Sequence, residues 1–155
     1  MGETFRAGVG LVVSRSDGSV LVLERRDVQA AWQLPQGGLE EGEDSEGAAW
    51  RELREETGLT PEHVTLSAAS EVWLGYELPV EYRRSKTGRG QVHQWFLFRL
   101  RKGIRLPRPP RARDAEFRAR RWTDPAALVG LAVSFRRPEY AAVVRWLASL
   151  EEQAI

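Results

Sequence analysis

Three glutamates, Glu52, Glu55 and Glu56, stand three and four positions apart in the stretch GGLEEGEDSEGAAWRELREETGL, residues 37–59. On a helix, that spacing gathers their carboxylates on one arc of the surface. Like charges so placed repel by roughly 0.2–0.5 kcal/mol per pair, so the face must be solvated or neutralised. A hard divalent cation neutralises it, because Mg²⁺ takes oxygen ligands and is held by a few carboxylates together with substrate phosphates. Such a cation clamps phosphate oxygens and lowers the pKa of a coordinated water, which is the chemistry of phosphoanhydride cleavage. The plainer alternative is a solvated acidic helix face, which is what charge clusters usually are.

The helix needed to position these groups has its own signals. Asp44 suits the N-cap, Glu46 complements the positive helix end, and Gly58 stands where a left-handed C-cap residue is expected. Trp50 and Leu53 point away from the glutamates, so one face can enter a core while the other gathers carboxylates. Ahead of the helix, Val9 to Ser14 and Val20 to Leu23 read as strands, joined by a turn containing Asp17-Gly18. Pro35 gives a rigid approach to Gly37 and Gly38. Leu66 to Trp73 and Trp95 to Leu100 read as further strands. Arg105 to Arg113, with Pro107, Pro109 and Pro110, reads as a basic connection. Pro125 to Leu131 reads as a short helix and Pro138 to Leu150 as an amphipathic one, with Tyr140, Val143, Val144, Leu147 and Leu150 on one side.

Gly37, Glu43, Arg51, Glu52, Leu53, Glu55, Glu56, Gly58 and Leu59 fill every specified position of the Nudix box. The chain therefore resembles the Nudix hydrolases. The preceding Trp32-Gln33-Leu34-Pro35-Gln36-Gly37-Gly38 is similar to the bacterial RNA 5′-pyrophosphohydrolases and the related dinucleoside polyphosphate hydrolases. Trp73-Leu74-Gly75-Tyr76-Glu77-Leu78-Pro79, Gly90-Gln91, Gln94-Trp95-Phe96, Glu116-Phe117 with Arg121-Trp122, and Val133 to Tyr140 extend the likeness over nearly the whole chain. Two departures touch the phosphate contacts. The usual Arg-Pro-X-Val-Gly reads Arg6-Ala7-Gly8-Val9-Gly10, and the usual Gln-Lys before the strand tryptophan reads His93-Gln94.

The resemblance implies an α/β/α sandwich, a mixed β-sheet between helices. It implies Mg²⁺, or Mn²⁺, on Glu52, Glu55 and Glu56, with the Gly37 main-chain carbonyl and Glu116 as further ligands. Either Glu56 or Glu116 would take the water's proton, while Glu43 and Arg51 would brace the loop through a charge-assisted pair and Gly58 would close the helix. Arg6, Tyr76 and Gln91 would lie near phosphates, and Phe135 would stack on a base. A lone His93 reads as structural, and the tryptophans as packing. The implied substrates are a nucleotide or dinucleoside polyphosphate, or an RNA 5′ end. A nucleotide-sugar or nucleoside-triphosphate pyrophosphatase, and a catalytically silent nucleotide-binding module, remain as alternatives.

Composition agrees with an ordinary globular chain. At 155 residues and 42% hydrophobic content, one domain with one substantial core is expected. There is no cysteine, hence no disulfide and no thiolate ligand. Neither a signal peptide nor a membrane span is expected, so the default location is cytoplasmic. The net charge of +1 is unevenly spread: residues 40–56 sum to −6 and residues 83–121 to +12. An acidic centre beside a basic half suits a polyanionic substrate.

Overall fold

The computed structural model describes residues 4–85, 87–109 and 116–153. In chain order these form β1 (Phe5–Ser14), β2 (Val20–Arg25), β3 (Trp32–Gln33), β4 (Gln36–Gly38), α1 (Ser45–Thr57), β5 (Val64–Ala69), β6 (Leu74–Glu77), β7 (Gly90–Leu100), β8 (Phe117–Thr123), α2 (Leu128–Leu131) and α3 (Arg137–Gln153). Short 3₁₀ turns lie at Val80–Tyr82, Pro125–Ala127 and Ser134–Arg136.

The sheet is mixed. β1 runs parallel to β7 over its whole length, from Phe5 opposite Gly90 to Ser14 opposite Arg99, and antiparallel to β2 and β4. β2 carries β3 and β8 antiparallel, and β7 carries β5 and then β6 along its other edge. Because side chains alternate across a strand, β1 feeds two cores. Val9, Leu11 and Val13 pack with Phe96, Phe98, Leu21 and Leu23 against Ala48, Ala49 and Leu53 of α1. Val12 packs with Trp95, Leu97, Val20 and Val22 against Leu128, Tyr140 and Val143. Helices thus cover both faces, as the α/β/α expectation requires.

The Trp95 indole lies flat across β1 at Gly10, where an added Cβ would sit 2.5 Å from the ring. The turn expected between the first two strands is built by Asp17, whose Oδ1 accepts from the Ser19 N–H at 2.8 Å, and by Gly18 at φ 87°. One strand expectation is corrected. Leu66 to Trp73 is not continuous: β5 ends at Ala69 and β6 starts at Leu74. At the break, the Ser70 hydroxyl accepts from the Trp95 N–H and donates to the Val72 carbonyl. Pro125 to Leu131 divides into a 3₁₀ turn, capped by Asp124, and α2. The final helix starts at Arg137 and extends to Gln153. Of the basic connection, residues 105–109 carry no regular element, and residues 110–113 lie outside the described residues. Among the described residues no helix is long and apolar enough to cross a membrane.

Candidate active site

The approach to α1 is fixed at both ends by buried groups. The Leu34 N–H donates to the Tyr140 hydroxyl at 2.8 Å, and burial pushes that phenol's pKa up to about 12. Two residues on, the Gln36 N–H donates to Oε2 of Glu56 at 3.1 Å. β4 then lays Gly37 opposite Val9 of β1, directly over Glu52. A Cβ on Gly37 would fall 1.9 Å from the Glu52 carboxyl carbon, so only glycine allows this backbone and this carboxylate to coexist. The helix itself starts as its local sequence dictates: Asp44 Oδ1 accepts from the Gly47 N–H at 2.7 Å, and Gly58 closes it at φ 79°.

Arg51 ties the loop to the acidic face. Its guanidinium donates to both oxygens of Glu43, at 2.7 and 2.8 Å, and to the Gly38 carbonyl at 2.8 Å. It also donates to Glu52 Oε1 at 2.7 Å and Glu55 Oε2 at 3.4 Å. The Glu40 N–H adds a bond to Glu43 at 3.0 Å. Hydrogen bonding to Arg51 first, and to the Glu40 N–H next, lowers the Glu43 carboxyl pKa to about 2. The same contacts raise that of Arg51. The bracing pair read from the sequence is therefore present, and Arg51 reaches Glu52 and Glu55 as well.

A cavity of about 880 Å³ opens beside this helix. Its wall includes Glu52, Glu56, Glu116 and Gly37 together with Arg25, Arg26 and Arg136. A second cavity of about 730 Å³ adjoins it, with Trp32, Tyr76, Tyr82 and Phe135 in its lining. Arg25, Gln33, Gln91 and Arg136 line both. Tyr76 and Phe135 lie with ring centroids 5.4 Å apart, and the Arg136 guanidinium sits 5.0 Å from the Tyr76 ring centre. Burial raises the Tyr76 pKa, so it presents a neutral phenol.

Of the residues singled out in the sequence, Glu52, Glu56, Gly37, Glu116 and Gln91 meet in the first cavity, and Tyr76, Gln91 and Phe135 in the second. Glu116 precedes β8 rather than lying within it, and its carbonyl accepts from the Arg26 N–H at 2.9 Å. Two candidates are placed elsewhere. Arg6 is exposed on β1, in register with Gln91, and does not line either cavity. Glu55 is on the Arg51 side of α1 and also lies outside both linings. Arg136 and Gln36 lie in the stretches that carry the resemblance, but neither was among the expected site residues. Arg136 donates to Gln36 Oε1, although 100 positions separate them, and no local pattern signals such a contact.

Among the described residues no group of three His, Cys, Asp or Glu side chains converges as a ready metal site. Arg51 instead supplies positive charge to Glu52 and Glu55. The donor set still fits a hard divalent cation. Glu52, Glu56 and Glu116 line one cavity, and the missing side chain of Gly37 makes room for the Glu52 carboxylate there.

Asp44 and Gly58 thus cap a helix that carries the buried Glu52 and Glu56 under the glycines of β4. Residues 4–147 match the NUDIX domain, and the chain belongs to the Nudix family of hydrolases. It is 43% identical over 150 residues to an RNA pyrophosphohydrolase of Rhodospirillum rubrum, covering 95% of this chain and 89% of that protein. It is 39% identical over 159 residues to Nudix hydrolase 25 of Arabidopsis thaliana, covering 94% and 87%. Among solved structures, the E. coli dihydroneopterin triphosphate pyrophosphohydrolase superposes with a TM-score of 0.70 at 25% identity, covering 92% of this chain and 98% of that one. A C. elegans Ap4A hydrolase shares the fold, with a TM-score of 0.68 at 22% identity and coverage of 93% and 98%.

Proposed function

We propose that this chain is a divalent-metal-dependent pyrophosphohydrolase acting on 5′-triphosphorylated RNA or a dinucleoside polyphosphate. One observation carries the reading. The carboxylate-lined cavity and the aromatic cavity share Arg25, Gln33, Gln91 and Arg136, so a ligand with phosphates and a base can lie across both. The names of the bacterial relatives support the RNA 5′ end as a substrate.

Glu52, Glu56, Glu116 and the Gly37 carbonyl would hold the cation, with Mg²⁺ the expected ion and Mn²⁺ a substitute. When bound, it supplies Lewis acidity at phosphate oxygens and acidifies a water. The chain's own residues do the rest. Arg25, Arg26 and Arg136 place positive charge where the polyphosphate lies, and Arg136 is held there by Gln36. Phe135, backed by Tyr76, offers a stacking face for a base. Water attacks phosphorus, the bond to the departing phosphate oxygen breaks, and a cavity carboxylate takes the water's proton. Glu56, oriented by the Gln36 N–H, and Glu116, at the open end of β8, are the two placed to do so.

A substrate panel with Mg²⁺ tests this. It contains 5′-triphosphorylated RNA, diadenosine tetraphosphate, a nucleoside triphosphate and ADP-ribose, run on wild type and on Glu56→Gln and Glu116→Gln. The RNA or the dinucleoside compound should be preferred. The variant lacking the base should lose about 10²–10⁴ in kcat. Equal turnover of ADP-ribose, or full activity in both variants, refutes the proposal.

A further inference from the structure

Glu139 is a carboxylate 1% exposed, in the first turn of α3. Burying such a group costs several kcal/mol unless hydrogen bonds compensate it. Its Oε2 accepts from His93 Nδ1 at 2.7 Å and from Trp95 Nε1 at 3.1 Å, while Oε1 has no hydrogen-bond partner among the described residues. A hydrophobic core gains little from this arrangement, since an apolar side chain of similar volume would cost less. The network leads instead toward the cavities. His93, also 1% exposed, turns Nε2 to Gln91 Oε1 at 3.1 Å. Gln91 Oε1 accepts in turn from Gln36 Nε2 at 3.3 Å. Gln36 then takes the Arg136 guanidinium on Oε1 and gives its own N–H to Glu56.

We infer that Glu139 and His93 are positioning residues, which through Gln91 and Gln36 set the Arg136 guanidinium and the Glu56 carboxylate against the polyphosphate. Both partners of the His93 ring are acceptors, so both ring nitrogens must donate, Nδ1–H to the carboxylate and Nε2–H to Gln91 Oε1, which leaves the ring one orientation. Gln91 is then fixed in the wall between the two cavities, and its oxygen fixes the Gln36 amide. Neither His93 nor Glu139 lines a cavity, so both act at one remove. Trp95 provides an internal control. It uses the same Glu139 oxygen, but its ring leads into the α3 core rather than toward Gln91.

The inference rests on the phosphate-binding reading of the first cavity, and the test separates the two. His93→Ala, His93→Gln and Trp95→Phe are compared with wild type by the side-chain amide NMR signals of Gln36 and Gln91, and by affinity for inorganic tripolyphosphate with Mg²⁺. His93→Ala should shift both amide signals and weaken binding by about tenfold, the scale of one charge-assisted hydrogen bond. His93→Gln, which keeps a polar side chain able to reach either neighbour, should restore much of the affinity. Trp95→Phe should lower thermal stability yet leave amides and affinity near wild type. Unmoved amide signals in His93→Ala overturn the inference whatever the enzyme's substrate. So do moved signals with unchanged affinity, or an equal loss of affinity in Trp95→Phe. Shifted amides in a protein that binds no tripolyphosphate overturn the phosphate reading and leave His93 only a packing role.

Discussion

Replacing Gly37 with alanine is the sharpest perturbation of the acidic helix, because it removes nothing and adds one methyl group. That Cβ would lie 1.9 Å from the Glu52 Cδ and 2.2 Å from its Oε1, whereas ordinary contact begins near 3.4 Å. Either the carboxylate withdraws or the strand lifts, by about 1.5 Å in all. Neither is free to move. Glu52 is 4% exposed and bonded to Arg51, and Gly37 lies against Gly8, where the Gly37 carbonyl oxygen already leaves no space for a Cβ. Overpacking of this kind costs about 1–3 kcal/mol of stability, and a displacement of about 1 Å at reacting groups costs on the order of 10²-fold in rate. Gly38 is the control, since an added Cβ there meets nothing within 4 Å. Phosphate release from the best substrate under saturating Mg²⁺ should therefore fall about 100-fold in Gly37→Ala and less than about threefold in Gly38→Ala. Equal losses in the two variants, or a Gly37→Ala enzyme within twofold of wild type, would refute the idea that Glu52 and the β4 backbone form one tightly fitted unit.

Other predictions follow from the same geometry. The Glu43 pKa is depressed in the folded protein, so its pairing with Arg51 stabilises above the ordinary value of 4.5 and is lost as pH falls through about 2. Glu43→Gln should lower the melting temperature at pH 7 and flatten the acid limb of the stability profile; an unchanged limb would contradict the pairing. Ala30 holds φ 62°, in the left-handed region, with its N–H given to Glu24 Oε2 at 2.9 Å. Ala30→Gly should stabilise by about 1 kcal/mol and raise Tm by about 3 °C in thermal unfolding. Phe135→Ala should raise KM about tenfold with a smaller change in kcat, as expected when a stacked base loses its partner. Steady-state kinetics on the RNA and dinucleoside substrates would check it.

What the sequence made legible was local or periodic. Asp44 and Gly58 announce α1 because capping depends on neighbouring residues, and both caps are present with their hydrogen bonds. The Asp17-Gly18 turn and the apolar face of α3 are legible for the same reason. The break at Ser70 was not, because it depends on hydrogen bonds to Trp95, 25 positions away. His93 read as structural, and it is buried, yet its partner Glu139 lies 46 positions downstream with no shared pattern. Arg136 was hidden more thoroughly. It stands beside Arg137 with no local sign of a partner, but the turn ahead of α3 folds it inward to 8% exposure. Arg6, expected near phosphate, stands on the exposed end of β1 in register with Gln91 and outside both cavity linings.

The two cavities differ in what builds their walls. The acidic one is assembled around sheet register and the caps of a single helix, where an inserted residue would reverse every side chain beyond it. Much of the aromatic one comes from Val28, from residues 78–82 with Thr87, and from the turn at 133–136, outside the sheet's ladder. Insertions or exchanges in those segments leave the strand alignment untouched. Over evolutionary time such a molecule can trade one clientele for another while its hydrolytic machinery stays put.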